Sequence, residues 1–558
     1  VPDLSYDRTL SKNPRRDIFK FHGALAQSIH QLQLIQQRSR SNTGGDTGVA
    51  VLNAHITMLR DPDLTARVEQ VIQHDHQNAP TAVDTVIDGY VRTLKQAVDN
   101  PYMLARVADF EDVRRRILAN LLGKTLPDIA AIDKPVVVVA HNLTPSDTSQ
   151  MNSRYVKGIV SDLGGTTSHV AIMSRTLQIP AIVGTQKVTD SVQPGERLIV
   201  DGTNGNALIQ PSDSEVTIYT QRGVSFALAR KENAKLVHAK TVTASGEQLK
   251  LLANVGTPAD IKDANADGAE GIGLVRTEFL YMDSDHLPSE EEQLSAYKEI
   301  VTGMHGKPVT FRTLDIGGDK PLSYLPFPKE LNPAMGGRAI RLCFDRPEIF
   351  NTQLRALIRA SQFGPVNIMF PMIATVDELK QAKNSFYAQR KKLAKDTPGI
   401  GDHIKLGMMM EVPAAALTAD ILAKECDFFS IGTNDLIQYC FAADRANEKL
   451  SYLYQPLSPA ILRLVWSIIK AGHAHGTTVA MCGEMAGERL AIPLLTGMGL
   501  DQYSMNSGAV LATRSELRHL KVRDCQRLLN QVLDNCDNEA EVKDQVKQWL
   551  KAHGLLAY

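Results

Sequence analysis

In the C-terminal half of the chain, several short apolar segments are followed directly by polar residues that can take part in catalysis. These residues are Arg276-Thr277-Glu278, Arg312 with Asp315, Glu411, Asn434-Asp435 and Cys482-Gly483-Glu484. One reactive residue at the end of a strand is common, whereas five such strand ends in one domain indicate a shared site. The guanidinium groups among them suit the binding of a small anion that carries phosphate or carboxylate oxygens.

Five arginines in this region are candidates for anion binding, because a planar guanidinium matches the oxygens of phosphate and carboxylate. They are Arg276, Arg312, Arg338, Arg341 and Arg445. An isolated arginine more often forms a surface salt bridge. The strand-end positions of Arg276 and Arg312 favour substrate binding for these two, whereas Arg341 is expected to be structural.

Glu411 and Asp435 follow two consecutive predicted strands. Because neighbouring strands lie about 4.8 Å apart, both carboxylates are expected to reach one cation. Two carboxylates completed by the phosphate oxygens of a substrate are a typical magnesium site. The alternative is a pair of buried, hydrogen-bonded acids.

A candidate nucleophile lies far from these residues in the sequence, in the segment Gly164-Gly165-Thr166-Thr167-Ser168-His169. The glycines allow a tight turn, and the apolar residues after His169 predict that a helix begins there. A phosphoryl group on His169 would then lie near backbone N–H groups and the positive end of a helix dipole. Neutral imidazole is a competent nucleophile near neutral pH. The alternative is a helix-capping cluster with an incidental histidine.

The elements that must position these residues fall into successive regions of different character. Residues 12–122 are poor in glycine and carry apolar residues at three- and four-residue spacing, which predicts a helical bundle. Residues 123–208 contain short apolar runs broken by glycine and proline, which is typical of a compact α/β domain. Residues 209–240 are expected to form a polar linking helix, and from 241 to 558 strands alternate with helices.

This last region contains eight candidate strands. They are 249–255, 271–275, 309–315, 366–372, 404–411, 428–432, 477–482 and 502–506. Eight βα units in this length predict a (β/α)8 TIM barrel, in which reactive residues lie at the C-terminal ends of the strands. A doubly wound open sheet is the alternative.

The overall composition argues against several classes of function. The 558 residues include 61 Lys or Arg and 62 Asp or Glu, and a net charge of −1 gives no field that favours nucleic acid or an anionic membrane. The sequence contains no apolar run of about 18 residues or more, so no membrane-spanning helix is expected. Six cysteines in 558 residues are sparse, which fits the reduced thiols of a cytosolic enzyme. No two of them have C-x-x-C spacing, which argues against a zinc ribbon or a thioredoxin-like motif.

Two nucleotide-binding signatures are incomplete. Gly123-Lys124-Thr125 matches the end of a P-loop, but Leu118 stands where that motif needs its first glycine. The segment Gly271 to Arg276 begins like a dinucleotide-binding turn but ends in arginine instead of glycine. The sequence therefore does not support a site for ATP or a dinucleotide.

Six segments together resemble the enzyme I family of the bacterial phosphoenolpyruvate-dependent sugar phosphotransferase system. They are Ser161–His169, Leu274–Tyr281, Phe311–Lys320, Met410–Ala414, Ile431–Leu436 and Cys482–Ala486. The resemblance covers nearly the whole chain in the expected order. Jointly these motifs are far more specific than any one of them alone.

The resemblance implies a helical subdomain, 12–122, inserted in a swivelling α/β phosphohistidine domain formed by 1–11 and 123–208. After the linker helix, 209–240, it implies a phosphoenolpyruvate-binding TIM barrel at 241–558 that also forms a homodimer. It further implies a cytoplasmic enzyme that uses Mg²⁺, converts phosphoenolpyruvate to pyruvate, and phosphorylates a histidine-containing phosphocarrier protein. No nucleic-acid partner and no membrane insertion are expected.

The resemblance also implies individual roles. His169 matches the phosphorylated histidine, Cys482 the proton donor to the enolate, and Thr148 a supporting threonine near the histidine. The expected substrate-binding residues are Arg276, Arg312, Arg338, Asn434, Asp435 and Arg445, and the expected metal ligands are Glu411 and Asp435. His55 matches a position that contacts the carrier protein, with an ordinary histidine on a helix surface as the alternative.

Two departures from the family pattern are present. The chain begins Val1-Pro2-Asp3-Leu4, without methionine or an apolar signal segment and after the family's first strand. If this start is a truncation, the phosphohistidine domain is expected to lack an edge strand. Thr166 stands where the family often has arginine, which puts that contact to a phosphohistidine in doubt.

Three other functions are compatible with parts of the pattern. A dikinase or phosphoenolpyruvate synthase shares the histidine and the barrel, but it needs an extra nucleotide-binding domain. A barrel lyase acting on phosphoenolpyruvate or pyruvate would leave His169 without a purpose. A non-catalytic signalling module that docks through 12–122 would not need the strand-end residues.

Overall fold

The computed structural model describes most of the chain. The described residues are 4–41, 46–96, 101–127, 129–148, 150–164, 169–177, 179–282, 284–317, 322, 324–325, 330–445 and 447–555. The chain divides into two compact units, Val1–Gln221 and Arg222–Tyr558. Among the described residues, no helix has the length and apolarity that crossing a membrane requires.

The first unit begins with a helical bundle. Its helices are α1 (Pro14–Ser41), α2 (Asp46–Leu59), α3 (Pro62–His74), α4 (Ala79–Gln96) and α5 (Pro101–Leu121). Helix α3 shows why these sequences form helices: Asp61 caps its first turn, and Leu64, Val68 and Ile72 recur at four-residue spacing on the buried face. These residues belong to one apolar core shared by the bundle, as the spacing predicts.

The rest of this unit is a small α/β domain. Its strands are β1 (Val136–Ala140), β2 (Val156–Ser161), β3 (Ala181–Ile182), β4 (Leu198–Asp201) and β5 (Asn206–Ile209), and its helices are α6 (Pro145–Thr148), α7 (His169–Thr176) and α8 (Val188–Ser191). Strands β1, β2 and β3 form a parallel sheet, and β4 and β5 form an antiparallel pair. Helix α9 (Asp213–Ala234) follows, and none of its residues is buried. Its sequence lacks an apolar stripe, which fits the predicted polar linker.

The second unit is a closed barrel of eight parallel strands. The strands are β6 (Lys250–Val255), β7 (Ile272–Arg276), β8 (Val309–Arg312), β9 (Val366–Phe370), β10 (Lys405–Met410), β11 (Phe428–Ile431), β12 (Thr478–Met481) and β13 (Gln502–Met505). They follow one another around the barrel, and β13 pairs with β6 to close it. The predicted TIM barrel is therefore confirmed, and the open-sheet alternative is wrong because the sheet has no edge.

Helices surround and extend this barrel. They are α10 (Ile261–Ala266), α11 (Phe279–Met282), α12 (Glu290–Gly303), α13 (Ile340–Asp345), α14 (Pro347–Ala360), α15 (Val376–Leu393), α16 (Pro413–Leu417), α17 (Ala419–Leu422), α18 (Thr433–Phe441), α19 (Pro459–Ala474), α20 (Ile492–Met498), α21 (Ser507–Leu517), α22 (Val522–Asn535) and α23 (Glu539–Ala552). Capping boxes at Ser289 and Thr375 fix where α12 and α15 begin. One continuous apolar core joins these helices to the strands.

Strand β8 is shorter than the sequence predicts. The predicted strand extends to residue 315, but β8 ends at Arg312, opposite Arg276 at the end of β7. On its other edge the backbone still pairs, since the N–H of Thr313 donates to the carbonyl of Met369 at 2.9 Å. Thr313 thus still bonds to β9 after the pairing between β7 and β8 has ended.

Candidate active site

The barrel brings the strand-end residues predicted from the sequence to one face. Because all eight strands are parallel, their C-terminal ends surround a single mouth. Arg276 and Arg312 end β7 and β8, Glu411 follows β10, and Cys482 follows β12. Asn434 and Asp435 lie in the first turn of α18, directly after β11.

Arg312 is held between two carboxylates inside this mouth. Its Nη2 donates to Glu278 at 2.6 Å, and its Nη1 lies 3.0 Å from Asp315. Burial alone would lower the pKa of the guanidinium, but Glu278, Asp315 and Glu411 outweigh it, so the pKa of Arg312 lies above its usual value. Its Nε has no hydrogen-bond partner among the described residues.

Arg338 is the second buried arginine of the mouth, with a side chain only 1% exposed. Its Nε and Nη2 donate to Asp315, at distances down to 2.8 Å, and its Nη1 donates to Asp435 at 3.4 Å. The same Nη1 donates to the hydroxyl of Tyr439 at 3.3 Å. Arg338 therefore ties the loop after β8 to helix α18.

Glu411 is buried and accepts a hydrogen bond from the backbone N–H of Met372 at 2.6 Å. Burial raises the pKa of this carboxyl, and the negative charges of Asp435 and Asp315 raise it further. A divalent cation would relieve this repulsion, and two carboxylates offer it hard oxygen ligands. Among the described residues, no group of three or more His, Cys, Asp or Glu side chains forms a complete metal cage.

Arg445 and Asn434 complete the polar rim near α18. The Nη1 of Arg445 lies 3.7 Å from the carboxylate of Asp435. Asn434 accepts hydrogen bonds from the hydroxyl of Tyr454 at 3.0 Å and from the backbone N–H of Glu484 at 3.3 Å. These bonds connect the loops that follow β11 and β12.

Cys482 lies at the apolar floor of the mouth and is 4% exposed. It packs in one cluster with Leu274, Met369 and Met409, and its thiol donates to the carbonyl of Ile431 at 3.8 Å. Burial raises its pKa to about 11, although nearby arginines act in the opposite direction. Nearby cations favour the thiolate of a cysteine. Burial outweighs them here, and the group stays protonated at neutral pH.

In the first unit, helix α7 begins at His169, where the sequence predicts a helix start. Residues 165–168, which include Thr166, lie outside the described residues. Thr148 ends α6, which packs against α7, and its buried hydroxyl donates to the carbonyl of Thr144 at 3.3 Å. Before the gap, hydrogen bonds from Thr189 and His141 to Asp162 hold the pKa of that carboxyl at about 2.

His55 does not lie on the surface of the helical bundle. Its side chain is 1% exposed, and its Nε2 lies 2.9 Å from Asp109 on α5. Its Nδ1 faces Asp112 at 3.8 Å. The alternative of an ordinary surface histidine is therefore wrong, and the side chain is also not positioned to touch another protein.

Several residues that shape the mouth are absent from the predicted site. Glu278 and Asp315 were recognised as polar residues near strand ends, but not as partners of the arginines. The backbone of Met372 and the hydroxyl of Tyr439 carried no sequence signal. Gln353 did carry one, since it is a polar residue within the apolar stripe of α14.

Family profiles match three successive parts of the chain. Residues 230–522 match "PEP-utilising enzyme, PEP-binding domain", residues 132–205 match "PEP-utilising enzyme, mobile domain", and residues 3–106 match "PEP-utilising enzyme, N-terminal". The first of these alone spans more than half of the chain.

Curated relatives match over nearly the full length. A phosphoenolpyruvate-protein phosphotransferase of Staphylococcus carnosus is 48% identical over 550 residues, which cover 99% of this chain and 96% of the relative. One from Listeria monocytogenes is 48% identical over 548 residues, which cover 98% of this chain and 95% of the relative. A solution structure of an Enzyme I protein is 32% identical, covers 40% of this chain and 91% of its own, and has a TM-score of 0.38.

Proposed function

The chain belongs to the family of phosphoenolpyruvate–protein phosphotransferases, and we propose on this premise that its barrel mouth transfers the phosphoryl group of phosphoenolpyruvate to His169. The observation that carries the proposal is the convergence of Arg312 and Arg338 with Glu411 and Asp435 at one mouth. Cations and metal-binding carboxylates at one place suit a small substrate that carries both phosphate and carboxylate groups. The family assignment favours this reaction over those of a dikinase or a barrel lyase.

In this proposal the arginines of the mouth bind the substrate. Arg276 is exposed at the end of β7 and is in register with Arg312 on β8, which supports our proposal that both bind the oxygens of the same phosphoryl group. The unpartnered Nε of Arg312 offers a donor that is already in place. The transition state of phosphoryl transfer spreads charge over three oxygens, and positioned cations stabilise it. Asn434, Arg338 and Arg445 complete the contacts.

Glu411 and Asp435 fit a divalent cation, for which we propose Mg²⁺. When bound, the cation would neutralise the charge of the substrate oxygens and hold them in place. The protein supplies the rest of the orientation. Arg338 fixes Asp435 from the side of the β8 loop, and the N–H of Met372 fixes Glu411.

In the reaction, a ring nitrogen of His169 attacks phosphorus as the bond from phosphorus to the enol oxygen breaks. The leaving enolate takes a proton at carbon from the thiol of Cys482, which gives pyruvate. A thiol that is kept protonated by its apolar surroundings suits this role. Thr148 supports the histidine, and the phosphoryl group then passes to a histidine-containing phosphocarrier protein.

The further assignments are also proposals. We place the enzyme in the cytoplasm as a homodimer joined through the barrel region, 241–558. Residues 12–122 would receive the carrier, and 1–11 with 123–208 would carry the phosphohistidine and swing on the linker, 209–240. Light scattering of the full chain and of a chain lacking the barrel would test where the dimer contact lies.

The central test is incubation of the full chain with phosphoenolpyruvate and Mg²⁺ in the absence of ATP. We expect a phosphoryl adduct that is lost in acid and maps to His169. The His169→Ala variant should give no adduct, whereas His74→Ala, which alters an exposed histidine at the end of α3, should react like the wild type. Chelation of the metal should suppress the reaction. Folded wild-type protein that forms no adduct would contradict the proposal.

A further inference from the structure

A fully buried glutamine lies on the core side of α14. Gln353 stands in the apolar stripe with Phe350, Leu354 and Leu357, and its side chain has no exposed surface. An amide enclosed in this way is costly unless its oxygen and nitrogen both find partners. Its partners therefore indicate why a polar residue is kept at a core position.

The partners of Gln353 fix the orientation of its amide. Its oxygen accepts a hydrogen bond from the backbone N–H of Leu314 at 2.9 Å. Its nitrogen donates to the hydroxyl of Thr277 at 3.0 Å and to that of Tyr297 at 3.2 Å. Because a backbone N–H can only donate, the amide oxygen must face Leu314.

The hydroxyl of Thr277 extends this contact to Arg312. It is fully buried, receives the bond from Gln353, and donates its own proton to the carbonyl of Arg312 at 2.9 Å. The carbonyl of Arg312 and the N–H of Leu314 are the two backbone groups that flank Thr313 on one edge. Gln353 and Thr277 therefore hold the backbone at two points directly beside the arginine.

These side chains replace a strand that is missing at this position. The last backbone pair between β7 and β8 is Arg276 with Arg312. Beyond it the edge of β8 would leave a carbonyl and an N–H without partners, which is costly in a buried segment. A side-chain amide carries the same donor and acceptor as a peptide group. Gln353, with Thr277 as its bridge, continues the ladder after β7 has turned away.

That turn of β7 has a consequence for the site. Because the chain leaves the barrel wall after Arg276, Glu278 can lie 2.6 Å from the guanidinium of Arg312. Asp315, three residues after Arg312 on the clamped segment, binds both Arg312 and Arg338. The backbone of 312–314 thus carries Arg312 and leads directly to Asp315, two of the buried charges of the mouth.

We propose that Gln353 is a positioning residue for phosphoryl transfer, which acts with Thr277 by fixing the backbone of 312–314 and so the placement of Arg312. The inference rests on the proposed role of Arg312 as a ligand of the transferring phosphoryl group. A group that stabilises a transition state must be held in place before the reaction, and a displacement of about 1 Å can cost about 100-fold in rate.

The alternative is that Gln353 only satisfies the core and contributes stability. Tyr297 provides a matched control, because it is equally buried and belongs to the same hydrogen-bond chain. Its hydroxyl accepts from Gln353 and donates to Gln293 at 3.1 Å, without contacting the backbone of 312–314. Loss of this hydroxyl removes a bond from the network but leaves the clamp on Arg312 in place.

The experiment compares Gln353→Met with Tyr297→Phe in the full chain. Rapid-quench measurement of adduct formation gives the maximal rate and the half-saturating concentration of phosphoenolpyruvate with Mg²⁺. We expect Gln353→Met to lower the maximal rate by about 10- to 100-fold with little change in half-saturation, because the lost contact matters most in the transition state. Tyr297→Phe should lower the denaturation midpoint but keep the wild-type maximal rate.

Thr277 provides a second pair of variants should Gln353→Met fail to fold. Thr277→Val removes the hydroxyl at nearly constant volume, whereas Thr277→Ser retains it. We expect Val to lower the maximal rate and Ser to restore it. A folded Gln353→Met or Thr277→Val protein with the wild-type maximal rate would overturn the inference, as would equal rate losses in Gln353→Met and Tyr297→Phe. Wild-type protein that forms no adduct would instead overturn the proposed function.

Discussion

The helical bundle and the barrel mouth both bury ionisable side chains, but their hydrogen bonds are arranged differently. In the bundle, His55 on α2 is enclosed and faces Asp109 and Asp112, both on α5. The contact joins two helices of one core. In the mouth, Arg312 pairs with Glu278, which follows β7, and Asp315 pairs with Arg338. Arg338 in turn reaches Asp435 on α18, which follows β11.

Both regions also contain buried polar atoms without a hydrogen-bond partner among the described residues. In the bundle these are the hydroxyl of Thr81 and the Nε of Arg115, and in the mouth they include the Nε of Arg312 and the hydroxyl of Thr433. Such groups are costly in a folded protein. Neither buried charge nor a donor without a partner therefore marks a site by itself, and the mouth is distinguished by the convergence of such groups at the strand ends of one barrel.

The largest effect should follow from Arg312→Met. We expect adduct formation with phosphoenolpyruvate to fall by about 10²–10³-fold, since a preorganised donor at the transferring group is lost. The variant also leaves Glu278 and Asp315 without one buried cation, which costs about 3–5 kcal/mol of unfolding free energy. Single-turnover rates and urea unfolding measure the two effects.

Arg312→Lys serves as the control for this prediction. It keeps the positive charge but loses the planar fork that reaches two carboxylates at once. We expect it to regain part of the stability and little of the rate. A wild-type rate in Arg312→Met would remove the distinction between the mouth and the bundle.

A second, smaller loss of activity is expected from Gly483→Ala. A β-carbon at this position would lie 1.9 Å from the hydroxyl oxygen of Thr433, so the first turn of α18 must shift. Asn434 and Asp435 would shift with it, at a cost of about 100-fold in rate. Gly508→Ala is the matched control, because its β-carbon would meet its nearest neighbour at an ordinary 3.5 Å. Equal rates in the two variants would contradict the prediction.

The smallest effect on activity is expected in the bundle. His55→Leu removes the bond to Asp109 and should lower the unfolding free energy by about 1–3 kcal/mol, as for other buried polar contacts. The rate of adduct formation should not change. His22→Leu breaks a half-exposed pair with Glu69 and should cost about 0–1 kcal/mol. A slower reaction in His55→Leu would show that this buried histidine also serves function.

Much of the fold could be predicted because its signals are local. Seven of the eight barrel strands lie within two residues of their predicted bounds at each end, since alternation of apolar runs with helices is visible in any βα unit. The exception is β8, which ends three residues before its predicted bound. Where pairing ends depends on its neighbour β7, and nothing in the residues of β8 records that.

The candidate site could be predicted only in part. Positions at strand ends follow from the barrel, so Arg276, Arg312, Glu411 and Cys482 could be placed at one mouth from the sequence. The hydrogen-bond partners within the site could not be predicted. Arg338, for example, binds Asp315 across a loop and Asp435 on a separate helix. The burial of His55 could not be predicted either, since a histidine on a helix gives no local sign of whether it faces solvent or a neighbouring helix.

The sequence by itself determined the order of elements, the closed barrel and the set of reactive groups at its mouth, because periodicity and residue type are properties of short segments. Only the tertiary structure decided how those groups act. It showed that burial keeps Cys482 protonated, that Asp315 serves two arginines, and that Gln353 replaces a missing strand beside Arg312. Each of these depends on distances between segments remote in sequence, which packing alone sets.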